Sequence, residues 1–276
     1  MIRNQLYYKS GLKNCQPSSR NGNQNQQSGG ALPHMENQNQ ETQKQQRKEL
    51  TLRQKRNMMY FVEATEKILK EEGIPGVTIR RIAAEAGYNS ATLYNYFQDL
   101  DELILFGSVC FLRDYLLSLA RHLEPEMTAL ERYRTIYRCF NERAFRFPEI
   151  FYNMFFGRYS AKLGHVIQVY YLDLFPEELQ GLPADVREMV VRGTLVERDQ
   201  VMMKSLVEEG YVAGNRASET LEIIVALHGS YIHRACLLGS SLDRPLLEKQ
   251  FLHIFDYVLA AARPGESTRG NRDQTV

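Results

Sequence analysis

The sequence has no long uncharged apolar run and almost no net charge. Its apolar stretches without Asp, Glu, Lys or Arg, such as 103–112 and 223–233, are shorter than the roughly 18 residues that cross a bilayer. No basic-then-apolar signal sequence opens the chain. With 34 Lys and Arg against 33 Asp and Glu, the overall charge gives no sign of a nucleic-acid or membrane partner. We therefore expect a soluble protein of the cytoplasm, without a membrane partner.

Motifs of metal, disulfide and catalytic chemistry are missing as well. The cysteines Cys15, Cys110, Cys139 and Cys236 lie far apart and form no C-x-x-C pair, which predicts reduced and mostly buried thiols. The Glu-x-x-His pairs of di-iron bundles do not occur. No nucleophile–base pair or glycine-rich phosphate loop appears either. The sequence therefore predicts a protein that is not an enzyme and uses no metal or other cofactor.

The first fifty residues differ in composition from the rest of the chain. They contain 7 Asn and 10 Gln and show almost no apolar periodicity. Such a segment cannot bury enough surface to offset the entropy of ordering, which predicts a disordered Asn/Gln-rich arm over 1–50. A second interpretation stays open, in which translation begins at Met35. At the other end, the polar tail 264–276 is predicted to be frayed.

Between the arm and the tail the apolar pattern is helical, with almost no period-two alternation, which predicts an all-α fold. A first helix ends at Gly73 and the following Pro-Gly turn. Thr78 caps a short second helix that Gly87 ends, and a third helix begins at Asn89 or Ser90 and carries apolar residues as far as position 97. Further helices are predicted over about 99–123, 128–147, 184–209, 217–238 and 243–262.

Residues 78–97, TIRRIAAEAGYNSATLYNYF, predict a helix-turn-helix. The second of its two helices has to enter a major groove about 12 Å wide, so its outward residues must be small or polar. Leu93 and Phe97 would anchor that helix to the core. Two tyrosines can each offer a hydroxyl to a phosphate. The residues with these outward roles are Ser90, Ala91, Thr92, Tyr94, Asn95 and Tyr96.

About 53–106 of the chain resembles the tetracycline-repressor (TetR) family of bacterial regulators. The resemblance rests on E-x-G at the end of the first helix, V-T-I-R-x-I-A-x-x-A-G, T-L-Y-x-Y-F and D-E-L. It implies a three-helix DNA-binding unit over 51–100. A long helix would join this unit to a larger helical domain over 101–263 that binds a ligand and dimerises.

The same resemblance implies roles for single residues. Thr78 and Arg80 would lie near DNA phosphates, Ser90, Ala91 and Thr92 near base edges, and Tyr94, Asn95 and Tyr96 along the backbone or at the groove margin. One departure is Leu100, where the family often has a phosphate-binding Lys. A replacement contact could come from 41–56, in which six basic residues face two acidic ones. This segment either follows the DNA backbone or is an ordinary solvated helix start.

The ligand side of the resemblance gives weaker predictions. Aromatic residues are concentrated between 140 and 171, and stripes of this kind are usually core, although a cavity among them would suit an apolar or aromatic effector. The polar residues proposed to orient such an effector are Asn141, Arg146, Tyr152, His165 and Arg198.

Dimerisation is expected because one short recognition helix reads too few base pairs, so two copies would bind a palindromic operator. By family analogy the last two long helices would form the dimer interface, although they could instead cover the monomer core. Their apolar residues are Leu221, Ile224, Leu227, Leu247, Phe251, Ile254 and Val258. The predicted function is a transcriptional repressor released by a small molecule. The alternatives are a ligand-independent regulator or activator, and a helical small-molecule-binding protein with no DNA role.

Overall fold

The computed structural model describes residues 50–264, where the chain forms twelve α-helices and no strand, so the predicted all-α fold is confirmed. The predicted arm and tail lie outside the described residues, apart from Leu50 and Pro264. The helices are α1 Leu52–Glu72, α2 Ile79–Ala86, α3 Ser90–Leu93, α4 Leu100–Val109, α5 Leu112–His122, α6 Ala129–Ala144, α7 Pro148–Phe156, α8 Leu163–Val169, α9 Ala184–Val190, α10 Leu195–Glu208, α11 Ala217–Leu238 and α12 Arg244–Ala261. A π-helical turn, Tyr170–Leu174, follows α8.

Helix α1 begins and ends where local chemistry dictates. Thr51 and Gln54 form a reciprocal capping box at its start, which satisfies backbone N–H groups that have no partner inside the helix. Gly73 ends the helix with a φ of 69°, and the turn Ile74–Gly76 follows. The buried face of α1 packs against α2 and α4, so this helix is the support of the N-terminal unit.

The predicted long fourth helix is interrupted. Residues Cys110 and Phe111 form a turn between α4 and α5. Neither residue breaks helices by propensity, so the interruption is a tertiary feature. At this turn Phe111 is buried and packs edge-on against Phe147, with ring centroids 5.0 Å apart. A single unbroken helix from 99 to 123 was therefore wrong.

The predicted helix over 184–209 is also divided. It becomes α9 and α10, separated by residues 191–194. Thr194 and Glu197 form a second reciprocal capping box at the start of α10. This S/T-x-x-E pattern is a start signal inside the predicted helix. By contrast, the capping box of Thr128 and Glu131 and the bounds of α11 follow the sequence prediction.

The N-terminal helices and the larger body meet at a close contact between α1 and α4. A β-carbon on Gly107 of α4 would lie 2.6 Å from Cγ2 of Thr65 in α1, so only glycine fits there. Thr65 is fully buried and donates a hydrogen bond to the Phe61 carbonyl oxygen at 2.8 Å. Helix α4 is therefore held tightly against the base of the N-terminal unit.

The two last helices carry apolar residues on both their buried and their exposed sides. Leu221, Ile224, Leu247 and Phe251 are buried in the chain's own core, so for these four the core-covering alternative is the correct one. Leu227 and Val258 are half-buried, and Ile254 is exposed. Other exposed apolar side chains on α11 and α12 are Ile223, Leu237, Leu246 and Tyr257.

Two helical stretches, Leu100–His122 and Gly214–Ser241, are long and apolar enough to cross a membrane by length and hydropathy alone. The sequence-based count of charge-free runs missed them. In the first, 78% of the apolar window is buried inside the protein, as in the core helix of a soluble protein. In the second only 33% is buried, and this helix carries the exposed apolar side chains of α11.

Candidate functional site

The helix-turn-helix is built from side-chain caps and one left-handed glycine. The Thr78 hydroxyl accepts a hydrogen bond from the Arg81 N–H at 3.3 Å and begins α2. Gly87 ends α2 with a φ of 75°, a conformation that glycine adopts without steric cost. The Asn89 side chain then accepts from the Ala91 N–H at 2.9 Å and begins α3. The predicted caps and turn are confirmed.

Helix α3 is shorter than predicted. It covers only Ser90–Leu93 and continues as a turn through Tyr94, Asn95 and Tyr96. The turn is closed by hydrogen bonds from the Asn95 N–H to the Thr92 carbonyl at 3.2 Å and from the Tyr96 N–H to the Leu93 carbonyl at 3.0 Å. Leu93 and Phe97 are buried, so they anchor the segment as the sequence predicts.

The eight residues with a predicted DNA role are all at least partly exposed to solvent. Thr78, Arg80, Ala91 and Asn95 are exposed, and Tyr94 is 56% exposed. The other three, Ser90, Thr92 and Tyr96, are half-buried. The side chains around α3 are thus small or polar and accessible, while the apolar residues beneath them are covered.

Tyr96 has a structural contact that the sequence did not predict. Its hydroxyl accepts a hydrogen bond from Asn57 Nδ2 at 2.6 Å, and the Tyr88 hydroxyl donates to Asn57 Oδ1 at 2.9 Å. Asn57 lies on α1, so one amide ties the turn and the segment after α3 to the supporting helix. The Tyr88 and Tyr96 rings also pack on Phe61, with centroids 5.1 Å and 6.2 Å away. No local spacing signals a contact between residues 57 and 96.

The neighbouring arginines Arg80 and Arg81 have different roles. Arg81 forms a two-pronged ion pair with Glu72, the last residue of α1, and donates to the Gly76 carbonyl at 3.1 Å. Its guanidinium lowers the pKa of the Glu72 carboxyl. Arg80 is exposed and has no ion pair within residues 50–264. The assignment of Arg80 to DNA stays a prediction.

Part of the basic segment 41–56 also has partners. Lys55 lies 3.5 Å from Asp173 of the π-helical turn, so its charge is paired with the body. Arg53 and Arg56 are exposed, whereas Lys44, Arg47 and Lys48 lie outside the described residues. Leu100 is half-buried as the first residue of α4, next to the capping residue Asp99.

The body contains a buried polar cluster around α6 and α11. His228 and Asn141 are fully buried and joined by a hydrogen bond of 2.9 Å between Nε2 and Oδ1. Burial lowers the pKa of His228 to about 3, so its imidazole is neutral at physiological pH. Asn141 Nδ2 and His228 Nδ1 have no hydrogen-bond partner within residues 50–264.

A pair of charged residues on α10 completes this cluster. Asp199 accepts a hydrogen bond from the Tyr137 hydroxyl, and burial raises the pKa of its carboxyl to about 7. Arg198 donates from Nη2 to the Val190 carbonyl at 2.8 Å and from Nε to the Arg192 carbonyl at 3.1 Å. Burial lowers the pKa of Arg198.

A small interior cavity adjoins these groups. Arg198, Asp199 and His228 line it together with Tyr115 and Tyr137. Its volume is about 20 Å³, which is room for about one water molecule. An organic effector would therefore require the core to open.

The five residues proposed for the ligand do not form one site. Arg198 lines the interior cavity, and Asn141 lies beside it through His228. Arg146 is exposed and stacks on Phe147. Tyr152 packs on His233 with ring centroids 5.3 Å apart, and His165 is exposed on α8. The five therefore stay separate candidates: Asn141 and Arg146 line one recess, and the other three lie elsewhere in the body.

Within residues 50–264, no group of three or more His, Cys, Asp or Glu side chains could hold a metal ion. Cys110 and Cys139 are buried as predicted, Cys236 is half-buried, and all three are free thiols. Cys15 lies outside the described residues.

Comparison with known proteins confirms the resemblance seen in the sequence. Residues 61–105 match the family described as bacterial regulatory proteins, tetR family. This match covers α2, α3 and most of α1 and α4, which is the helix-turn-helix with its support. No curated protein sequence matches the chain.

Two solved structures described as TetR-family proteins match the chain at low identity and with TM-scores below 0.5. Thermus thermophilus FadR, a TetR-family transcriptional repressor in complex with lauroyl-CoA, is 16% identical with a TM-score of 0.49, over 72% of this chain and 92% of its own. A protein of Mesorhizobium loti MAFF303099 described as a TetR-family transcriptional regulator is 14% identical with a TM-score of 0.47, over 78% of this chain and 100% of its own.

Proposed function

We propose that this chain, a transcriptional regulator of the tetR family, is a dimeric repressor that binds a palindromic DNA operator and is released by a small molecule. The observation that carries the proposal is the surface around α3. Small and polar side chains are accessible there, above a buried anchor of Leu93 and Phe97. Regulators of this family are generally not enzymes, and we extend that to this chain, with a location in the cytoplasm.

In this proposal Ser90, Ala91 and Thr92 approach base edges in the major groove. Such contacts give sequence specificity, whereas contacts to phosphates give affinity and register. The exposed hydroxyl of Tyr94 and the side chain of Asn95 would contact the backbone. The Tyr96 hydroxyl oxygen accepts a hydrogen bond from Asn57. Its proton can still be donated, so Tyr96 would contact the backbone through that proton.

Phosphate contacts would also come from the start of α2. Thr78 and Arg80 are both exposed there, and Arg80 has a guanidinium that no carboxylate within residues 50–264 neutralises. The basic segment 41–56 is a further candidate, without Lys55, because Lys55 pairs with Asp173. Deleting residues 1–50 should then make the salt dependence of DNA affinity shallower, because fewer counterions are released. An unchanged salt dependence would mean that the segment is solvated and does not contact DNA.

Dimerisation would use the exposed apolar side chains of α11 and α12. These two adjacent helices carry several exposed large apolar side chains, which include Ile223, Leu237, Leu246, Ile254 and Tyr257. Two copies joined by a two-fold axis would bury this face and present two α3 segments to successive major grooves. For helix-turn-helix dimers that separation is about 34–36 Å or a multiple of it.

Release by a ligand requires the body to bias the position of the DNA-binding unit. Besides the Gly107–Thr65 packing, polar contacts that join them include Lys55 with Asp173 at 3.5 Å, and Lys162, whose Nζ donates to Gln98 Oε1 at 3.1 Å and lies 3.7 Å from Asp99. A ligand that binds one arrangement better shifts the population by its differential affinity. Allosteric coupling of this kind typically amounts to about 1–3 kcal/mol.

The experiment that tests the proposal is selection of duplexes from a random library by the full-length chain, followed by sequencing. We expect a palindromic consensus whose two half-sites lie about one helical turn apart. The control is the double variant Thr92→Ala, Asn95→Ala, which should recover no consensus while its helical circular dichroism is unchanged. Recovery of unrelated sequences by the wild type would contradict a DNA role and favour a helical small-molecule-binding protein.

A second step separates a repressor from a ligand-independent regulator. Adding a low-molecular-weight extract of the source cells to the complex with the selected duplex should release the DNA. Retention of the complex at all extract concentrations would favour the ligand-independent alternative.

A further inference from the structure

A groove of about 490 Å³ runs between the DNA-binding unit and the body. Its walls are the C-terminal end of α1, the junction of α6 and α7, and the turn between α11 and α12. This volume is within the range of sites for small organic ligands, whereas the interior cavity holds about one water. Among these two spaces, the groove is the one that can accept an organic molecule without opening the core.

The groove combines an apolar wall with unpaired positive charge. Leu69, Phe147 and Ile150 contribute the apolar surface. Arg146 and Arg244 line it, are exposed, and have no ion pair within residues 50–264. Two guanidinium groups without carboxylate partners can bind a carboxylate or phosphate through charge-assisted hydrogen bonds.

Other charges at the groove place the anion near these two arginines. Lys70 also lines the groove but is paired with Glu66 at 2.5 Å, and Glu149 is the one carboxylate in the lining. An adjoining recess of about 320 Å³ shares Arg146 and Arg244 and contains Glu142 and Glu248. These two carboxylates would repel an anion, so its head group is expected on the groove side of the arginines.

The start of α7 adds a second favourable feature. Residues 147–150, where α7 begins, line the groove, and the helix has no side-chain cap there. The first turn of a helix presents free N–H groups and the positive end of the helix dipole. Because Pro148 has no N–H, these donors are the N–H groups of Glu149 and Ile150. An anionic head group near Arg146 would therefore meet the arginines and this helix start together.

We infer that the groove is the effector site and that it takes an amphipathic organic anion, with the anion held by Arg146 and Arg244 and the apolar part against Leu69, Phe147 and Ile150. This assignment rests on the proposed function for its regulatory consequence. The end of α1 is one wall and leads directly through Ile74–Gly76 into α2, so an occupant would bear on the helix-turn-helix itself.

Binding is tested by calorimetric titration of the full-length chain with phenylbutyrate, an aromatic carboxylate. Two matched probes are phenylbutanol, which lacks the charge, and butyrate, which lacks the ring. We expect phenylbutyrate to bind about tenfold or more tightly than either probe, and each of Arg146→Gln and Arg244→Gln to cost about tenfold. Arg187→Gln is the matched control, since Arg187 is an exposed arginine of α9 without an ion pair in residues 50–264.

Location is tested through Cys236, a half-buried thiol in the groove lining. In a Cys15→Ser background, phenylbutyrate should slow alkylation of Cys236, and the double variant Arg146→Gln, Arg244→Gln should abolish this protection. Equal binding of phenylbutanol, no binding of phenylbutyrate, or tight binding that ignores both arginine variants would each overturn the inference. In the last case, loss of phenylbutyrate binding in Arg198→Gln would assign the ligand to the interior cavity.

The two proposals fail separately. A chain that selects a palindromic duplex but does not bind phenylbutyrate keeps the DNA-binding proposal and loses the groove. A chain that binds phenylbutyrate through Arg146 and Arg244 but selects no duplex keeps the groove and loses the regulator.

Discussion

The N-terminal helices and the body differ in where their polar side chains lie. In the N-terminal unit the buried residues are apolar apart from Thr65, and hydroxyl and amide groups lie at the surface around α3, as with Tyr94 and Asn95. In the body, by contrast, Asn141, Asp199 and His228 are buried among aromatic rings. In the proposed function the first region contacts DNA with these outward groups, whereas the second holds its polar groups inside.

The largest expected effect tests the support beneath the outward surface. Phe61→Ala removes a fully buried ring that packs on Tyr88, Tyr96 and Phe97, and should lower the free energy of unfolding by about 3–5 kcal/mol in urea denaturation. The control is its neighbour Tyr60→Ala, which is 50% exposed and should cost less than about 1 kcal/mol. Equal losses would mean that the ring cluster is not the support.

The second prediction concerns the buried carboxyl of the body. The pKa of Asp199 is raised from 3.8 to about 7, so between these values the native state retains a proton that the unfolded state has released. The free energy of unfolding should then fall as pH rises through this window, and Asp199→Asn should remove that contribution.

The measurement is the difference in the free energy of unfolding between Asp199→Asn and wild type at several pH values. It should shift in favour of the variant by on the order of 2 kcal/mol from pH 5 to pH 8. His228 acts in the opposite direction, since its pKa is lowered to about 3, but it is present in both proteins and its contribution cancels. A difference independent of pH would show that Asp199 is not desolvated.

A smaller effect comes from removing one tyrosine hydroxyl at a time from the N-terminal unit, first one that supports the fold and then one that is exposed. Tyr88→Phe loses the donor to Asn57 and should lower the free energy of unfolding by about 1 kcal/mol, with little change in operator affinity. Tyr94→Phe loses an exposed hydroxyl and should leave stability within about 0.5 kcal/mol but weaken operator binding severalfold. The paired readouts are urea denaturation and fluorescence anisotropy. A reversal of the two results would exchange the structural and DNA-binding roles.

Much of the N-terminal unit could be predicted from sequence because its determinants are local. The Thr78 cap, the left-handed Gly87 and the buried Leu93 and Phe97 follow from residue type and spacing within twenty positions. What the sequence did not reveal there is the Asn57 bridge, which joins residues 39 positions apart.

The body could be predicted only as a set of helices. Its helix breaks at Cys110–Phe111 and at 191–194 depend on packing between distant segments or on a cap inside an apolar pattern. The proposed ligand residues failed to converge for the same reason. Spacing along one helix does not determine which neighbouring helix a side chain meets, so Arg146 and Arg198 lie in different cavities.

The most direct test of the central claim is the equilibrium affinity for the selected duplex of wild type and the double variant Thr92→Ala, Tyr94→Phe, measured by fluorescence anisotropy at one salt concentration. Loss of a base-edge contact and a backbone contact should weaken binding by about tenfold or more, while sedimentation shows the same oligomer. Equal dissociation constants for the two proteins would contradict the assignment of the surface around α3 to duplex DNA.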